Sequence, residues 1–177
     1  MTTKNSGRHR QRPTKQLLAT LFAELNQRVL DINRERMREG TLRIPKSQVR
    51  LLGQISLMSH EQVSAYLSLV QTNDLDALLK MEYVVKVEFK KLLNEVGLIY
   101  DEDSYLIWVP PGARFDPLFD FETVEVHIID AESALVSKAV KAPEKNKQLI
   151  REAIASGQFS SLLDRILASG GNLEDFL

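Results

Sequence analysis

The chain has 177 residues, 44% of them hydrophobic and 27% charged, which is enough apolar matter to bury the core of one ordinary domain. No run of about 18 apolar residues occurs, which excludes a membrane-spanning helix. The absence of cysteine excludes a disulfide scaffold, thiolate zinc sites, iron–sulfur clusters and cysteine catalysis.

The basic start is not followed by the apolar stretch of a secretory signal, so a reducing cytoplasm is the expected compartment. Only His9, His60 and His127 offer imidazoles, which makes a poly-histidine metal site remote. The formal net charge of −1 conceals a split. Residues 1–50 hold twelve Lys and Arg against four Asp and Glu, and residues 51–177 hold eleven against twenty. Such asymmetry points to a basic arm or a nucleic-acid contact, or to a solvated basic helix.

In chain order, residues 1–13 read as a disordered basic tail with Lys4, Arg8, Arg10 and Arg12 and no apolar period. From Thr14, the residues Leu17, Leu18, Leu21, Phe22, Leu25, Val29, Leu30 and Ile32 recur at three- and four-residue spacing and predict an amphipathic helix. Gly40 ends it. Its other face carries Arg28, Arg34, Arg36 and Arg38, suited to phosphates, to an acidic partner, or to the acidic remainder of this chain. Residues 41–44 are short and β-like, and 49–58 are ambiguous between strand and buried helix, with Gly53 at their middle.

Ser59-His60-Glu61-Gln62 has the form of a capping box and predicts a helix from 60 to about 70. A second helical period runs through Val84, Val85, Phe89, Leu92, Leu93 and Val96 to Gly97. Residues 98–100 and 105–109, around an acidic turn, predict a hairpin closed by Pro110-Pro111-Gly112. Residues 123–129 alternate as a strand. Helices are expected over 131–141, from Pro143 to 154, and over 160–168. The expected fold is α+β, a small mixed sheet flanked by helices. Its expected organisation is a tail (1–13), a basic amphipathic helix (14–40) and one α+β domain (41–177).

Asp74-Leu75-Asp76 is the leading site candidate. On a strand, carboxylates at i and i+2 project from one face and can share divalent cations. On a helix start, Asn73 or Asp74 would serve as the N-cap and Asp76 would favour the first turn. Trp108, Tyr105 and Tyr100 can stack on a base or pack in a core. His127, beside Glu125, reads as a sheet-surface residue. No phosphate loop, His-Glu-x-x-His or Gly-x-Ser-x-Gly motif is present.

The order of these features resembles the nucleotidyltransferase fold. There a glycine turn (here Leu51-Leu52-Gly53-Gln54) precedes a helix and then an Asp-x-Asp strand. Ile107-Trp108-Val109-Pro110-Pro111-Gly112 and the run from Asp130 to Lys138 resemble segments of bacterial nucleotidyltransferase-like proteins related to the AbiEii toxin group. Ala142-Pro143-Glu144-Lys145-Asn146-Lys147 stands where those proteins carry a basic helix opening. The similarity spans roughly residues 51–154.

The resemblance implies Mg²⁺ held by Asp74 and Asp76, a nucleoside triphosphate approached by Gly53, Lys138 and Lys145, and transfer of a nucleotidyl group to an unknown acceptor. It departs from the family at Gln54, where a Gly or Ser is usual. No later strand marks a third carboxylate, for which Asp130 and Asp116 are the candidates. The competing expectation is a catalytically silent module of the same fold that engages nucleic acid through its basic N-terminal region, or a partner protein. A toxin–antitoxin component would join the two.

Overall fold

The computed structural model describes residues 14–177; the tail 1–13 lies outside the described residues. Helix α1 (Thr14–Arg38) leads to strand β1 (Ser47–Leu51), helix α2 (Gly53–Ser59) and the single turn α3 (Glu61–Ser64). Strands β2 (Asp74–Leu75) and β3 (Ala77–Lys80) precede helix α4 (Tyr83–Glu95), strand β4 (Ile99–Tyr100) and a 3-10 turn, Ser104–Leu106. Strands β5 (Phe115–Asp120) and β6 (Val124–Ile129) follow, then helices α5 (Ala131–Lys141), α6 (Pro143–Ser156) and α7 (Leu162–Ala168).

The fold is α+β with a mixed sheet, ordered β3-β1-β6-β5. The central pair β1 and β6 is parallel, and β3 and β5 flank it antiparallel. β2 and β4 form a separate parallel pair. One sheet face, with Val49, Leu51, Val124 and Val126 all fully buried, packs on α1 and α4. Leu18, Phe22 and Leu25 from α1 belong to that core. Of the alternatives open for the basic helix, the described residues show it packed on the remainder of the chain. A second cluster joins Leu52, Leu57 and Ile129 to the apolar faces of α5, α6 and α7.

Three expectations are corrected and one ambiguity is resolved. Residues 41–44 form no strand; the Ile44 N–H instead donates to Asn33 Oδ1 at 2.8 Å, folding the segment back on α1. The ambiguous stretch divides at Gly53, as strand before it and helix after it. The capping box does not operate. Ser59 ends α2, where its hydroxyl donates to the Ile55 carbonyl at 2.7 Å; His60, not Ser59, is the N-cap of the next helix, with no side-chain cap bond, and that helix stops at Ser64.

The hairpin of 98–109 is also absent. β4 pairs with β2, and 107–109 pack on the second core. The sequence reading also passed over β5, whose Pro117 lacks a ladder donor. It is tolerated because β5 is an edge strand with an irregular register between Pro117 and Phe119.

Candidate functional site

The carboxyl ends of the parallel strands β1 and β6 open on a cavity of about 810 Å³, floored by Leu52, Gly53, Asp76 and Ile129. The ends of parallel strands are a common place for ligand crevices, because each chain turns there from sheet to helix. Segment 105–109 forms one wall, and Ser137, Lys138, Lys141, Lys145 and Asn146 form the other. Four of the residues expected from the sequence, Gly53, Asp76, Lys138 and Lys145, thus line one space.

Asp76 lies between β2 and β3, and local pairing sets its position. The Leu52 N–H donates to the Asp76 carbonyl at 2.9 Å, and the Asp101 N–H to the Leu75 carbonyl at 3.0 Å. The parallel register of β2 on β4 therefore brings residue 101 beside residue 76. The two carboxyls share a hydrogen bond. Burial, that hydrogen bond and the Asp101 charge push the Asp76 carboxyl up to about 6, with Lys138 pulling the other way. Burial pulls the Lys138 ammonium below the usual lysine range, and nearby Lys145 adds to this while Asp76 opposes it.

Gly53 has φ +59°, a conformation suited to glycine, and a Cβ there would overlap Asp76 Oδ2. The tight neighbour of this glycine is the chain's own carboxylate. The sequence reading had given that place to a ligand phosphate.

The other expected residues lie elsewhere. Asp74 is on β2, exposed, and outside the cavity, although its charge still acts on Asp76. Asp130 is the N-cap of α5. Its oxygens accept from the Arg114 N–H at 2.8 Å and the Ser133 N–H at 3.0 Å, and Arg165 lies 3.8 Å away. Burial opposes its ionisation, but these partners hold the carboxyl below the usual range. It is not among the residues lining the cavity, and its oxygens are engaged in capping α5. Asp116 is exposed on edge strand β5.

The carboxylate that does approach Asp76 is Asp101, which the sequence reading had assigned to a hairpin turn. No local signal marks it, because its position depends on parallel pairing with a strand about 25 residues earlier. Tyr100 is structural: its hydroxyl donates to the Ala77 carbonyl and its ring packs on Phe89. His127 pairs across the sheet with Arg50, on the face away from α1.

The arginines of α1 are engaged within the chain. Arg28 lies 3.1 Å from Glu88 and 3.4 Å from Glu95 on α4, and Arg36 lies 3.0 Å from Glu82. Arg34 and Arg38 pair with Asp31 and Glu35 of their own helix. The four arginines of α1 thus meet acids of the same molecule.

Among the described residues, no group of three or more His, Cys, Asp or Glu is arranged to hold a metal ion. The Asp76–Asp101 pair nonetheless has the hard oxygen donors that Mg²⁺ takes, and Mg²⁺ needs only one or two carboxylates when substrate phosphates complete its shell. Among the described residues, no helix is long and apolar enough to cross a membrane. Comparison with known protein families, characterised proteins and solved structures finds no match to this chain.

Proposed function

We propose that the chain is a Mg²⁺-dependent nucleotidyltransferase of the reducing cytoplasm, acting on a nucleoside triphosphate. One observation carries the reading: Asp76, with Asp101 beside it, faces Lys138 in a cavity large enough for a nucleotide. Lys138 and Lys145 neutralise phosphate oxygens, and charge is stabilised more strongly in a partly buried site than in water. A carboxylate of this pair takes the proton of the attacking acceptor hydroxyl as that oxygen bonds to the α-phosphorus and pyrophosphate departs. Mg²⁺ held by Asp76 and Asp101 supplies charge neutralisation at the phosphates. A second cavity of about 480 Å³, sharing Lys138, Lys145 and Asn146 with the first, gives the acceptor a separate approach.

Isothermal titration with the Mg²⁺ complexes of ATP, GTP, CTP and UTP tests the reading. Wild type should bind, and Asp76→Asn and Asp101→Asn should each weaken binding by about tenfold or more, as loss of a metal-holding group does. A wild-type chain that binds none of the four sinks it. The exposure of Asp74, outside the cavity, favours a second reading in which the nucleotide is held but not transferred. Incubation with α-³²P-labelled nucleotide separates the two, since a module that only binds yields no labelled acceptor and no pyrophosphate.

A further inference from the structure

Two large apolar side chains stand in succession at the cavity rim: Tyr105 is 70% exposed and Leu106 is 68% exposed. Behind them, Ile107, Trp108 and Val109 are half-buried, with the second core at their backs. The wall is tied at both ends to the charged groups of the site. Ser104 Oγ donates to the Asp101 carbonyl at 2.6 Å and accepts from the Ala77 N–H at 3.1 Å, fixing the turn to the backbone that carries Asp76 and Asp101. Ser137 Oγ donates to the Trp108 carbonyl at 2.6 Å, fixing the far end to the helix that carries Lys138. The Lys141 ammonium, 5.2 Å from the centre of the Trp108 ring, marks the border between apolar wall and basic wall.

We infer that segment 105–109 is the surface on which a nucleobase stacks, with Tyr105 as the principal aromatic face, while the triphosphate runs along Lys138, Lys141 and Lys145. The inference rests on the nucleotide reading above and specifies the part of the ligand that reading leaves open. A molecule with a flat apolar head and a polyanionic tail complements an apolar wall set beside three lysines. Leu106, Ile107 and Val109 offer area without hydrogen-bonding groups. The wall therefore grips a base by its face, which purines and pyrimidines share, and not by its edge.

Trp108 is the only tryptophan of the chain, so its fluorescence reports this cavity directly. The full chain is titrated with the Mg²⁺ complexes of the four nucleoside triphosphates and of inorganic tripolyphosphate, for wild type, Tyr105→Ala and Tyr105→Phe. Calorimetry serves as the second readout. Tyr105 is exposed, so neither variant disturbs the core.

The four nucleotides should bind wild type within about fivefold of one another, and tripolyphosphate about tenfold more weakly, the scale of one base–aromatic stack. Tyr105→Ala should weaken the nucleotides by about tenfold and leave tripolyphosphate unchanged, while Tyr105→Phe keeps wild-type affinity. Tripolyphosphate binding as tightly as ATP, an unaltered Tyr105→Ala, or preference for one base by more than about fiftyfold overturns the stacking surface but spares the phosphate site. If neither nucleotides nor tripolyphosphate bind, the nucleotide reading falls and takes this inference with it.

Discussion

Asp76 holds its proton differently in the folded and unfolded chain. Unfolded, the carboxyl ionises near 3.8; folded, burial and the Asp101 carboxyl raise it to about 6. Between those values the native state binds more protons, so this contribution to stability is full below about pH 4 and is lost as pH rises through 6. At neutral pH an ionised Asp76 is retained against folding, by on the order of 1–2 kcal/mol once solvent contact is allowed for. Asp76→Asn should therefore stabilise the protein by about that much at pH 7.5 and little at pH 4, as read by urea unfolding. An equal effect at both pH values would mean that the carboxyl is not displaced. Stability given up at one carboxyl in a cavity is the usual mark of a functional position. The sequence left Asp74 and Asp76 open between a strand and a helix start; Asp74 lies on β2 and Asp76 in the link to β3. That only Asp76 faces the cavity was not legible there, because burial of one and exposure of the other depends on what packs beside the strand.

The elements divide by how local their causes are. α1 and α4 were legible because their apolar residues repeat at helical spacing and each ends at a glycine with positive φ, Gly40 and Gly97. The short strands were not. β4 takes its partner from β2, on the far side of α4, and the acidic residues after it looked like a turn for want of any local sign of that pairing. Asp130 misled for a related reason, since a carboxylate at a strand end serves equally as catalyst or as helix cap. Asp130→Ala removes the α5 cap and orphans the Arg114 N–H, and it should cost about 1–3 kcal/mol in urea unfolding. Nucleotide affinity measured by calorimetry should change by less than about twofold, the noise of an uncoupled site. A loss of affinity with stability intact would return Asp130 to the chemistry.

In the folded chain there are two apolar cores, and the apolar lining of the cavity, Leu52, Ile107, Trp108, Val109 and Ile129, belongs to the second. The first core depends on α1: Phe22 is fully buried, stacked on Phe89 at 5.6 Å and tilted against Phe119 at 6.2 Å. Phe22→Ala should cost about 3–5 kcal/mol of unfolding free energy, measured in urea. A loss below about 1 kcal/mol would mean that α1 is an appendage resting on the domain.

The opposed charges of the two halves of the chain meet in this packing, since Arg28 of α1 pairs with Glu88 and Glu95 of α4 and Arg36 with Glu82 just before it. Composition, helical period and glycine stops were enough to establish an α+β chain with a long first helix, because each arises within a few residues of the chain. Which aspartate joins Asp76, how the lysines stand to it, and which end of the sheet carries the cavity came from tertiary pairing alone. Register between distant strands is set by burial, and burial is a property of the assembled core.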